Sequence, residues 1–215
     1  YKVLESLDAT AAVRHFRNLL WCEARRSGLP SHKVVVSLDT NISDGGIDAK
    51  IEGVPNTDSL LINGNSYFQI KTGKSFKPWQ ISSLEKELSR KARTKPTKEL
   101  LGKTVKACLD KNGRYVLVTF GYDLTPLQHS NTRQNLEELF RTCGYSNPTV
   151  EVLGQGQLVG LFSSYPSLCL ELLNRADFTF QTVDGWKTNE DMKSILQLAD
   201  SQKGFVEDIR STMRG

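Results

Sequence analysis

Glu23, Asp48, Gln69 and Lys71 are the side chains of this sequence whose types and spacing suit metal-assisted hydrolysis. Cutting a phosphodiester requires cations that activate a water and neutralise the charge building on phosphorus, so carboxylates and a side-chain cation must meet at one point. Asp48 follows the Gly45-Gly46 turn at the mouth of an expected strand. Gln69 and Lys71 stand two apart on the next strong strand, and an i, i+2 spacing turns both to one face. Glu23 lies on the first amphipathic helix, one side of which must pack on the sheet. Taken singly, each has an ordinary explanation: aspartate is favoured in turns for its local hydrogen bonds, and a strand Gln or Lys usually marks a wet face. Together, with a basic run behind them, they point to a nuclease-type site.

The elements that must position these residues read as a mixed order. Val13, Phe16, Leu19, Leu20 and Ala24 recur at helical spacing over 11–27, and Gly28-Leu29-Pro30 ends that helix. Val34-Val35-Val36, the segment after Gly46 and Tyr67-Phe68-Gln69-Ile70 read as strands. A helix from Pro78 carries Ile81, Leu84 and Leu88 and runs into the basic stretch before Pro96 interrupts it. Another is expected over 98–109, then a buried strand over 115–120, a helix over 132–143 and a strand over 149–153. The region 158–173 reads as helix in two pieces around Pro166, Phe178-Thr179-Phe180 as a short strand and 190–213 as polar helix. The fold class is α/β, a mixed sheet flanked by helices because each element has one apolar face to bury. A main domain over 1–153 and a mostly helical extension or linker over 154–215 follow from the change of pattern near 154.

With 38% hydrophobic and 24% charged residues, the 215-residue chain belongs to the ordinary globular class. No stretch reaches the roughly 18 consecutive apolar residues of a membrane span, and no signal-peptide pattern opens the chain, so the expected location is cytoplasmic. Cys22, Cys108, Cys143 and Cys169 are widely spaced, which predicts reduced thiols rather than zinc or disulfides. The net charge of +4 is unevenly placed: 71–114 holds 13 Lys and Arg against 4 Asp and Glu, leaving the remainder net negative. Such clustering is the footprint of a polyanion partner. Trp79, inside the run, reads as packing before base stacking.

Two other motifs fail on spacing. Gly73-Lys74-Ser75 lacks the glycine a phosphate-binding loop needs five residues earlier, where Phe68 stands in a strand. In the run from Asp39 to Gly45, a calcium loop would need glycine at Asp44 and glutamate at Lys50. His15, His32 and His129 have no spacing partner and receive no role.

Ser43-Asp44-Gly45-Gly46-Ile47-Asp48 followed by Phe68-Gln69-Ile70-Lys71 resembles the Mrr-like restriction endonuclease branch of the PD-(D/E)XK superfamily. The resemblance covers roughly 10–120 and departs from the family name at Ile47, which replaces proline, and at Gln69, which replaces an acid. It implies a restriction-endonuclease-like fold, Asp48 as principal ligand of Mg²⁺ with Mn²⁺ as substitute, and Lys71 as the residue that orients the attacking water. It further implies Gln69, through its amide oxygen or the adjacent Ile70 carbonyl, in the second acidic position, Glu23 as a supporting acid, and Asp44 in a supporting or alternative place. The function implied is a metal-dependent DNA endonuclease in restriction or anti-phage defence; the alternative is an inactive nuclease-fold module that binds DNA or a partner. DNA contacts are expected from Lys74, Lys77, Arg90, Lys91, Arg93 and Lys95. The stretch 190–213 resembles the lead-in of antiviral STAND NTPases, which implies an N-terminal effector domain of a longer protein that acts as a homo-oligomer.

Overall fold

In the computed structural model the described residues are 2–37, 45–89 and 96–173. A short helix α1 (Lys2–Glu5) precedes α2 (Ala9–Arg26), whose first turn is capped by the Asp8 carboxylate accepting from the Ala11 N–H at 2.7 Å. After a 3-10 turn at Ser31–Lys33, β1 (Val34–Val36), β2 (Ala49–Ile51) and β3 (Ser66–Lys71) follow. Next come α3 (Ile81–Leu88), α4 (Lys103–Asp110), β4 (Arg114–Thr119), α5 (Pro126–Thr142) and β5 (Thr149–Leu153), and then α6 (Gln155–Ser163) and α7 (Pro166–Leu172).

The five strands form one mixed sheet in chain order, antiparallel from β1 to β3 and parallel from β3 to β5. Parallel pairing demands a crossover, and α3–α4 and α5 supply the two. Buried on both faces, β4 reads as the continuous run Tyr115-Val116-Leu117-Val118. The alternation along β3 divides the core. Phe68 and Ile70 pack with Phe16, Leu19 and Leu20 of α2, while Tyr67 packs on the other face with Leu84, Val105, Tyr115 and Phe140.

Local chemistry moved three boundaries. α5 begins at Pro126, ahead of the apolar periodicity, because Thr125 and Gln128 form a reciprocal capping box and proline suits the first helical position. α3 ends before the basic run rather than inside it: Ser89 is extended and bridges Leu101. α4 begins at Lys103, five residues later than the spacing suggests, behind a turn over 98–100. Beyond Leu153, α6 and α7 break at Pro166 as expected, and their Leu158, Phe162 and Leu168 belong to the same buried cluster as α2. The strand expected at Phe178–Phe180 and the helix expected at 190–213 lie outside the described residues. The four cysteines are free thiols, and burial pushes Cys108 up to about 12. Among the described residues no helix is long and apolar enough to cross a membrane.

Candidate active site

Asp48 stands one residue before β2, directly across from Gln69. Its N–H donates to the Phe68 carbonyl at 2.9 Å and its own carbonyl accepts from the Ser37 N–H at 3.2 Å, so its backbone is held from both sides. The approach to Asp48 requires glycine. Gly45 has φ +85°, and a Cβ there would lie 2.8 Å from the Thr104 backbone nitrogen; a Cβ on Gly102 would lie 1.9 Å from the Gly45 carbonyl oxygen. The turn therefore lies directly against the N-terminus of α4.

The Asp48 carboxylate Oδ2 accepts from the Ile70 N–H at 2.6 Å, which fixes it at the end of β3. A strand residue sends its N–H and C=O to the same side. The Lys71 carbonyl accepts from Phe120 N–H toward β4, so the Ile70 carbonyl faces the Asp48 side. The Asp48 carboxylate and the Ile70 carbonyl thus lie on the same side of β3.

Gln69 is buried, and both ends of its amide are engaged. Its Oε1 accepts from the Tyr115 hydroxyl, and its Nε2 donates to Glu87 Oε1 at 2.9 Å. Lys71 Nζ forms an ion pair with the same Glu87 oxygen. Burial first, and then the charges of Glu87, Cys108 and Asp48, push the Tyr115 hydroxyl well above its ordinary range, so it remains a donor. The amide oxygen of Gln69 is consequently turned to Tyr115.

Glu23 is not brought to this cluster by any contact among the described residues. Its side chain, 3% exposed, accepts from Arg26 Nη2 at 2.7 Å and from the Tyr165 hydroxyl at 2.6 Å. α2 covers the Phe68–Ile70 face of β3, opposite the face of Gln69 and Lys71. The physical reason is parity: an apolar helix packs on the apolar side of the strand.

Glu87 is the residue that sequence reasoning missed. It follows Leu84 by three positions on α3, beside the buried stripe of Leu84 and Leu88. Among the described residues no three His, Cys, Asp or Glu side chains converge; Asp44 lies outside them.

The basic run is partly neutralised in pairs. Lys74 meets Glu5 at 2.8 Å, Lys98 meets Asp110 at 3.8 Å and Lys111 meets Glu52 at 2.7 Å. Lys77 is exposed, while Arg90, Lys91, Arg93 and Lys95 lie outside the described residues. Trp79 packs its ring edge-on against Tyr122, with centroids 4.9 Å apart. Beside Asp48, a groove of about 220 Å³ runs between α4 and the open face of β1 and β2, past Val35, Lys50, Tyr67 and Ala107.

The fold and site together define a mixed α/β protein with an acid, amide and lysine cluster at one end of its antiparallel–parallel junction. Comparisons with family models, curated proteins and solved structures yield no match.

Proposed function

We propose that this chain is a metal-dependent DNA endonuclease of the Mrr-like branch of the PD-(D/E)XK class. The observation that carries the reading is the 2.6 Å hydrogen bond from Ile70 N–H to Asp48. It ties the acid of the turn to the strand that bears Lys71. Asp48 and the Ile70 carbonyl fit Mg²⁺, a hard cation that takes oxygen ligands and is often held by only one or two carboxylates, keeping waters for the remainder. The ion, when bound, would lower the pKa of a water and offset charge on the scissile phosphate. Asp48 would hold and orient that ion, and the Lys71 ammonium would offer a positive charge to the scissile phosphate.

The substrate we assign is DNA, contacted through phosphates by Lys74, Lys77 and the run through Lys95, with affinity that declines steeply as salt rises. The setting we assign is cytoplasmic restriction or anti-phage defence, with the chain as effector of a STAND-type oligomer. Plasmid nicking in Mg²⁺ at low salt tests the activity, with EDTA as control. Asp48→Ala and Lys71→Ala should each lower the rate at least about 100-fold. Nicking that persists in both variants and in EDTA would remove the assignment; DNA binding without nicking, unchanged in both variants and in the assembled full-length protein, would favour a non-catalytic binding module.

A further inference from the structure

We infer that Glu87, rather than Gln69, supplies the second acidic side chain of the metal site, and that Gln69 and Tyr115 act as a positioning pair that aims it. The inference rests on the nuclease reading above and names a ligand within it.

A primary amide has one accepting end and one donating end. The Glu87 carboxylate can only accept, so the donating end of the Gln69 amide faces it, where the Nε2 to Oε1 distance is 2.9 Å. The oxygen then accepts from the buried Tyr115 hydroxyl. Turned this way, Gln69 directs its hydrogens to Glu87, while its oxygen is engaged by Tyr115. Glu87 presents the complementary group. Both of its contacts, from Gln69 and Lys71, fall on Oε1, and among the described residues no donor reaches Oε2. Its side chain is 31% exposed, so water and a hydrated ion have access.

The two acids meet consecutive positions at the end of β3: Asp48 accepts from the Ile70 N–H, and Glu87 is bound by the Gln69 and Lys71 side chains on either side of it. The loss of negative charge that glutamine brings to the strand is thus offset from α3. Lys71 holds the Glu87 carboxylate in place and keeps its own ammonium on the same face.

The test compares Mn²⁺ affinity, by isothermal titration of the 215-residue chain, in the wild type, in Glu87→Gln and in the swap variant Gln69→Glu with Glu87→Gln. Glu87→Gln is isosteric, and its amide oxygen still accepts from Gln69 and Lys71, so a role limited to holding those two side chains would leave Mn²⁺ affinity within twofold. The expected result is a loss of at least about tenfold, the range seen when a group at a metal site is removed. The swap variant, which returns one carboxylate to the cluster and reverses the same hydrogen bond, should recover affinity to within about threefold of wild type. If Glu87→Gln does not fold, as read from its thermal melt, the swap variant decides: retained Mn²⁺ binding supports the role of the acid, and lost binding overturns it. A wild type that nicks DNA in Mg²⁺ while Glu87→Gln binds Mn²⁺ normally removes this inference and leaves the nuclease. A wild type that neither binds Mn²⁺ nor nicks DNA removes both.

Discussion

Glu23 and Glu87 lie against opposite faces of one sheet, and their partners differ in kind. Glu23 is enclosed: its side chain is 3% exposed, and its oxygens are engaged by Arg26 of its own helix and by Tyr165, just before α7. Glu87 is held by the two polar side chains at the end of β3, with 31% of its own side chain open to water. A carboxylate closed in by donors on a packing face contributes to stability. One tethered by a single oxygen at the mouth of a sheet is available to a ligand. The same division runs through the two layers. The α2 layer is an apolar cluster with one satisfied buried acid, whereas the α3–α4 layer carries a polar chain from Tyr115 through Gln69 and Glu87 to Lys71.

The largest effect should come from the closed layer. Phe16 is fully buried and meets Phe68 edge-on with ring centroids 5.3 Å apart. Phe16→Ala should cost about 3–5 kcal/mol by cavity formation and lost contact, measured by urea unfolding. A cost below about 1 kcal/mol would mean that the α2 layer is not the rigid one.

The two tyrosines sharpen the contrast. Tyr115→Phe leaves the Gln69 oxygen without its donor and frees the amide to turn, so nicking should decline roughly tenfold, with a stability cost of about 1–3 kcal/mol. Tyr165→Phe removes one donor from Glu23 and should cost about 1–2 kcal/mol of stability while leaving the nicking rate of the folded protein unchanged. Equal losses of nicking in both would erase the distinction between the faces.

The smallest effect concerns Glu52, whose carboxylate is held by Lys50, Lys111 and the Tyr67 hydroxyl on the same face as Glu87. Lys111 first, then Lys50 and the Tyr67 hydroxyl, hold it down to about 2 from an ordinary 4.5. Because the unfolded chain binds this proton more readily, the stabilisation is present above pH 4.5 and is lost as pH falls toward about 2. Glu52→Gln should therefore be slightly less stable at neutral pH and show a shallower acid limb across that window, followed by denaturant midpoints. Parallel acid limbs in the two proteins would assign the acid sensitivity elsewhere.

Much of this arrangement follows from the sequence alone. The apolar period of Val13, Phe16, Leu19 and Leu20 requires a helix with one buried side, and the run Tyr115-Val116-Leu117-Val118 requires a strand covered on both faces. The spacing of Gln69 and Lys71 determines that they share a face, and the glycines at 45 and 46 mark a turn that only residues without a Cβ can make. Even the separation of Glu23 from Lys71 was present in outline, because Phe68 and Ile70 offer an apolar helix the opposite side of the strand from Lys71.

The identity of the acid beside Gln69 was not. Glu85 and Glu87 flank the Leu84–Leu88 stripe at about 80° on either side, as the ~100° per residue of an α-helix dictates, so periodicity treats them alike. Choosing between them took the direction in which α3 crosses the end of β3, and that is decided by how Leu84 and Leu88 seat against Tyr115, Leu136 and Phe140. The orientation of the Gln69 amide likewise depended on a hydroxyl 46 positions away in sequence. Local pattern sets which elements form and which face is wet; which polar groups meet is set by packing between elements that the chain brings together only when it folds.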